Sequence, residues 1–147
     1  MNNRSERLRT VQKVNENREQ NAAREMGKAR DRVDAMEKRL TELMAFREEY
    51  AQNLLTTGQA GISIARMREY QLFLTRLDQA IAYQRNSTEQ AKTAYAERQR
   101  AWGYLHGRVI AMEKLIDRHQ QKEQSEISQQ EQKEIDEHAQ RSGSIAL

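Results

Sequence analysis

Two stretches of sequence decide the fold: LTELMAFREEYAQNL at residues 40–54 and MREYQLFLTRLDQAI at residues 67–81. In both, large apolar residues recur at alternating steps of three and four, which places them along one face of a slightly underwound helix. If the chain folds back between the stretches, their apolar residues face each other in pairs whose numbers add to nearly the same value. These pairs are Leu54 with Met67, Tyr50 with Tyr70, Leu43 with Leu77, and Leu40 with Ile81. This arithmetic predicts an antiparallel hairpin.

The same periodicity extends from Ala22 to Leu54 and from Met67 to Ile116. The sequence therefore predicts an all-α fold, a long two-helix antiparallel coiled-coil hairpin that forms a single domain over residues 1–147. Helix one is expected over about 3–56, a turn with two glycines over about 57–63, and a longer helix two over about 64–141. A polar overhang of helix two is expected from about residue 117, and a flexible tail over 142–147.

The composition supports a narrow apolar seam rather than a compact multilayer core. Only 37% of residues are hydrophobic, 32% are charged, and the mean hydropathy is −1.04. The chain contains no proline that would oblige a helix to kink, and no cysteine for disulfides or thiolate metal sites. It also lacks a long apolar run or a signal-peptide core, which predicts a cytoplasmic location.

No residue pattern points to an enzyme. The three histidines, His106, His119 and His138, are too widely spaced to form a zinc-binding pair, and no glycine-rich phosphate loop is present. A two-helix hairpin also lacks the concave pocket that excludes water from a reaction. We therefore predict no catalytic residues, no cofactor and no metal site.

Several seam positions carry polar side chains, and a second stripe adjoins the seam. We expect the polar residues to fix the register of the helices, with Gln84 opposite Met36, Thr88 opposite Val33, and Arg98 opposite Ala22. The adjoining stripe on helix two consists of Phe73, Leu77, Ala80 and Gln84. It either accepts a partner helix or merely widens a thin core, and the sequence leaves both readings open.

Five blocks of the chain, in order, resemble the flagellar FliJ family of bacteria. They are LMAFREEYAQNLL (Leu43–Leu55), GQAGIS (Gly58–Ser63), YQLFLTRLDQAIAYQ (Tyr70–Gln84), RQRAW with MEKL (Arg98–Trp102 and Met112–Leu115), and EQKEIDEHAQR (Glu131–Arg141). The resemblance implies a component of the flagellar type III export apparatus, cytoplasmic and peripherally associated with the inner-membrane export machinery. Its coiled coil would act like the central stalk of a rotary ATPase.

The resemblance also implies partners and binding residues. The stalk would insert into the export ATPase hexamer, promote its assembly and activity, contact the export-gate membrane protein FlhA, and engage substrate chaperones. The gate-binding positions match Phe73, Leu77 and Ala80, while the fourth position is Gln84, where some relatives have histidine. Because loosely zipped ends of the hairpin are expected to enter the ring, the candidate ring contacts are Val11, Val14, Arg18, Ile127, Lys133 and Ile135.

Two other functions compete with the export stalk. One is a generic coiled-coil scaffold or adaptor in which the seam pairs between chains, and the other is a basic coiled coil that binds nucleic acid or membrane. The net charge is only +3 and the signs are interspersed, which is typical of a solvated coiled-coil surface. We therefore expect no nucleic-acid binding. The export stalk predicts a monomer when the protein is free.

Overall fold

The structure, a computed structural model, describes residues 4–145. It contains two helices, α1 (Arg4–Ala60) and α2 (Ile64–Ile145), and no strand within the described residues. The two helices pack against each other in opposite directions, which confirms the all-α antiparallel hairpin and its longer second helix. The predicted start of helix one at Asn3, like residues 146–147 of the predicted tail, lies outside the described residues.

The turn between the helices is shorter than the sequence predicted. Only Gly61, Ile62 and Ser63 separate α1 from α2, and Gly61 has a φ of +93°, a backbone conformation that favours glycine. The Gly61 N–H donates to the Gly58 carbonyl at 3.2 Å, and the Ser63 hydroxyl accepts from the Arg66 N–H at 3.2 Å. Helix one therefore runs past residue 56 to Ala60, because Gly58 fits within the helix and Gly61 alone makes the reversal. Ser63 caps α2, as expected.

The carboxyl end of α2 also lies beyond its predicted position. The helix continues past Arg141 to Ile145, so residues 142–145 of the predicted flexible tail are helical. No proline interrupts this segment, and a single glycine at position 143 lowers helix propensity without breaking the hydrogen-bonded ladder.

The chain divides into two compact units, named here for their place in the sequence. The terminal unit is Met1–Asn21 with Gly103–Leu147, and the central unit is Ala22–Trp102. In each unit a segment of α1 packs antiparallel on a segment of α2. That the whole chain folds as one domain stays a prediction.

The seam of the central unit contains both apolar and polar buried side chains. Its buried apolar side chains are Val33, Leu77, Ile81 and Ala91. Buried Gln84 donates to the Met36 carbonyl at 3.2 Å, so these residues face each other as predicted. Thr88, expected opposite Val33, is buried as Val33 is, and its hydroxyl lies 3.4 Å from the Met36 carbonyl and donates to the Gln84 carbonyl at 2.8 Å.

Two predicted seam residues of the central unit are exposed. Arg98, expected opposite Ala22, is exposed, and so is Met67, with 40% of its surface accessible. An exposed guanidinium keeps its hydration. Burying it without a carboxylate partner would destabilise the fold by more free energy than a register contact could contribute. The register is therefore carried by the amide and hydroxyl side chains rather than by this arginine.

In the terminal unit, the pairing of α1 with α2 extends further along α2 than the sequence predicted. Glu123 accepts hydrogen bonds from the Ser5 backbone N–H at 3.2 Å and from the Ser5 hydroxyl at 2.8 Å. Ile116 is buried and Glu123 is half-buried, whereas residues 124–144 are exposed. The overhang therefore begins after Glu123 and not at residue 117, because long polar side chains extend the seam beyond its last apolar layer.

Candidate functional site

Four aromatic rings form a cluster between the two helices of the central unit. Tyr50 of α1 lies 4.5 Å from Phe73 and 5.1 Å from Tyr70 of α2, measured between ring centroids. Phe46, one turn before Tyr50, lies 6.2 Å from Phe73 with the ring planes at 80°. These separations fall in the range of favourable offset and edge-to-face aromatic contacts.

The cluster is only partly covered. Tyr50 and Tyr70 are half-buried, while Phe46 is 47% exposed and Phe73 is 36% exposed. Phe46 and Phe73 each stand one residue before a seam position (Arg47 and Leu74), so they flank the seam on the same edge of the helix pair. The edge they form, called here the aromatic edge, exposes ring surface to solvent.

The structure separates the four predicted gate-binding residues into two groups. Phe73 and Ala80 are exposed on the aromatic edge, whereas Leu77 and Gln84 are buried, at 7% and 5% exposure. The spacing explains this difference, because residues seven apart occupy the same heptad position of a coiled coil. Phe73 and Ala80 share one heptad position, and Leu77 and Gln84 share the neighbouring one. Phe73 and Ala80 are therefore accessible to solvent, whereas Leu77 and Gln84 belong to the buried seam.

Phe46 belongs to this surface but was absent from the sequence-based site. Its signal was available, because Phe46 and Phe73 have numbers that add to nearly the value of the seam pairs. In an antiparallel coiled coil, positions just before the seam on both helices flank the same edge. A search of flanking positions as well as seam positions would have found the pair.

The other edge of the central unit is polar. Arg47 donates through Nε to Asp78 Oδ1 at 2.6 Å, and Lys92 lies 3.5 Å from Glu37. The hydrogen bond from Arg47, with its positive charge, lowers the pKa of Asp78, and the same hydrogen bond raises the pKa of Arg47. The two edges therefore differ in chemistry: one carries ion pairs between the helices and the other exposes aromatic rings.

The predicted ring contacts all lie on the surface of the terminal unit. Val11 and Val14 are 47% and 48% exposed on α1, and Ile127 and Ile135 are 52% and 61% exposed on α2. Arg18 and Lys133 are exposed as well. All six side chains are therefore accessible, and the four apolar ones stand among charged and polar residues of their helices.

Residues 4–145 contain neither a membrane-spanning helix nor a cluster of metal-binding side chains. Neither helix has a stretch apolar enough to cross a bilayer. Over the same residues, no three histidine or carboxylate side chains converge closely enough to bind a metal ion.

Comparisons with known proteins agree on one family. The family model for the flagellar FliJ protein matches residues 4–144. The chain is 29% identical to the flagellar FliJ protein of Escherichia coli (strain K12) and 30% identical to that of Salmonella typhi, each over 134 residues that cover 91% of both chains. No solved structure matches significantly. The chain belongs to the flagellar FliJ family.

Proposed function

We propose that this chain, a flagellar export component by its family, works as a stalk-like coiled coil in the ring of the export ATPase. The observation that carries the proposal is that, in each of the two units, a segment of α1 pairs antiparallel with a segment of α2, in a chain that the family model matches over residues 4–144. FliJ is not a known enzyme family, and the chemistry of this chain lies in its helix surfaces. Its action is therefore mechanical rather than catalytic.

The terminal unit would enter the ring. Its exposed apolar side chains, Val11, Val14 and Ile127, stand among charged residues. Two unlike helices inside a six-fold ring contact its subunits unequally. Such a stalk biases which subunit interface closes on nucleotide, promotes assembly of the hexamer, and needs no contact with the nucleotide phosphates.

The aromatic edge of the central unit would bind the export gate. Phe73 and Ala80 are accessible there, and Phe46 extends the surface onto α1. Partly exposed aromatic rings supply large contact area at low entropic cost, as at other protein interfaces. Binding to the gate protein FlhA and to substrate chaperones would associate the chain peripherally with the inner-membrane export apparatus.

The test measures ATP hydrolysis by the purified export ATPase with and without this chain. We expect stimulation, co-elution, and a loss of stimulation in Val14→Glu and Ile127→Glu. Tyr83→Glu is the matched control, because Tyr83 is 75% exposed in the central unit and lies outside both proposed surfaces. Absence of both stimulation and co-elution would contradict the proposal.

Light scattering separates the stalk from an interchain scaffold. The stalk predicts a free monomer at the sequence mass of 17.3 kDa. A stable parallel dimer would instead show that the seam pairs between chains. Tight binding to duplex DNA or anionic vesicles at about 150 mM salt would favour a basic coiled coil, because nonspecific phosphate binding weakens steeply as salt rises.

A further inference from the structure

In the terminal unit, the seams of the two helices do not match in chemistry. The α2 seam is apolar throughout four successive layers, Leu105, Val109, Met112 and Ile116. The α1 seam that covers it is polar except for Leu8, and its other positions are Ser5, Gln12, Asn15 and Glu19. Val109 and Ile116 are nevertheless buried, at 6% and 7% exposure.

The polar residues of the α1 seam are incompletely satisfied. Gln12 donates to the Val109 carbonyl at 2.9 Å, yet its Oε1 is buried without a hydrogen-bond partner. The Nδ2 of Asn15 is buried and unpartnered as well. Gln84 of the central unit makes the same kind of amide-to-carbonyl bond and leaves no such atom. Burying an unpaired amide atom opposes folding, so this pairing is weaker than its buried area suggests.

Polar contacts hold this α1 segment at both ends. At the start, the Glu123 carboxylate accepts hydrogen bonds from the Ser5 N–H and hydroxyl, and so caps one of the backbone amides in the first turn of the helix. At the far end, Glu19 lies 2.9 Å from Nδ1 of His106. Such contacts can be exchanged for water or for a partner at low cost, unlike an interdigitated apolar core.

We propose that residues 4–19 of α1 are a detachable cover over the apolar α2 stripe of Leu105, Val109, Met112 and Ile116. The occupant that fits the uncovered stripe is an amphipathic helix of a partner with an uninterrupted apolar heptad stripe. Such a helix fills the same layers without burying an unpaired amide, and therefore outcompetes the native cover. This inference does not depend on the proposed role at the ATPase ring.

The test uses a labelled peptide of residues 4–22 carrying Gln12→Leu and Asn15→Leu, with the unaltered peptide as its control. Fluorescence anisotropy with the full chain should show at least tenfold tighter binding of the leucine peptide. If the two peptides bind equally, or if neither binds, the proposal is wrong.

Variants of the full chain locate the binding site. A chain carrying Gln12→Leu and Asn15→Leu has an improved cover and should bind the leucine peptide at least tenfold more weakly than the unaltered chain. Unchanged binding would show that the peptide docks elsewhere and would overturn the proposal. Glu123→Gln, which weakens the cap on Ser5, should strengthen peptide binding, whereas Glu126→Gln, at an exposed position, should not.

Hydrogen exchange gives an independent readout. Amides of residues 8–19 in the unaltered chain should exchange at least tenfold faster than those in the Gln12→Leu, Asn15→Leu chain, because the cover opens locally. Equal exchange in the two chains would contradict a detachable cover. A concentration-dependent dimer of the unaltered chain would also overturn the proposal, since it would assign the stripe to a second copy.

Discussion

Phe46 of α1 and Phe73 of α2 meet edge to face, with their ring centroids 6.2 Å apart, and both also lie against Tyr50. The contact links the exposed aromatic edge directly to the seam of the central unit. A partner that binds this edge therefore contacts rings whose positions are set by the helix pairing. A substitution on the aromatic edge is therefore expected to change the stability of the hairpin as well as the surface that a partner would contact.

Leu77→Ala and Phe73→Ala should affect stability and binding differently. Leu77 is 7% exposed, so removing its side chain should lower the free energy of unfolding by about 2–5 kcal/mol. Phe73→Ala should cost about 1 kcal/mol, because the ring is partly exposed and loses mainly its aromatic contacts. Urea unfolding checks both values, with exposed Tyr83→Ala as control.

Capture of the export-gate protein should be weakened more by Phe73→Ala than by Leu77→Ala, the reverse of their order in stability loss. Phe73→Ala should reduce capture in a pull-down at a temperature where the variant is fully folded, since it removes accessible ring surface. Equal destabilisation by the two substitutions would show that Phe73 acts as a core residue. The aromatic edge would then be a thickened seam rather than a binding surface.

The two glycines near the turn should respond in opposite ways to alanine. Gly61→Ala should lower the free energy of unfolding by about 1–2 kcal/mol, because the native φ of +93° is unfavourable for a residue with a Cβ. Gly58→Ala should raise it by about 0.5–1 kcal/mol, since Gly58 lies inside α1 with open space around its added methyl group. Thermal unfolding of both variants measures these changes. A Gly61→Ala variant that is more stable than the unaltered chain would be inconsistent with the turn described.

Asp78 should make part of the stability dependent on acid. Its pKa is lowered chiefly by the hydrogen bond from Arg47, so the ion pair stabilises the fold above the ordinary aspartate range. This contribution is lost as the pH falls through the lowered pKa. Asp78→Asn should be less stable than the unaltered chain at neutral pH, and the difference should vanish at strongly acidic pH.

Salt provides the control for the Asp78 prediction. Both partners are exposed, so the effect is small and added salt should reduce it. Urea titrations across the acid range at two ionic strengths measure this difference. If it persists unchanged at low pH, the substitution acts through something other than the charge of Asp78.

Spin labels can test the antiparallel pairing directly. The chain has no cysteine, so Glu37→Cys and Lys92→Cys introduce the only thiols. The native side chains lie 3.5 Å apart at the surface, so labels there should be within about 20 Å of each other, given the packing distance of neighbouring helices. Dilution with unlabelled chain should leave the measured distance unchanged, whereas a signal that disappears on dilution would indicate pairing between chains.

The sequence by itself determined the helices, their direction and much of their register. Apolar residues at steps of three and four specify which side of each helix is buried, and the hairpin arithmetic brought Tyr50 opposite Tyr70 and Gln84 opposite Met36, as observed. These features depend on spacing along one chain, so a single sequence suffices to predict them.

Tertiary structure alone decided which side chains the pairing covers and how far it extends. The heptad placed Arg98 in the seam, yet its guanidinium stays in water, and Leu77 is buried while Phe73 is accessible. Glu123 lies past the last apolar layer but reaches back to cap α1 at Ser5. The spacing of apolar residues specifies which face of a helix is buried. Whether a given side chain is covered depends on its length and charge and on the side chains of the opposite helix that it can contact.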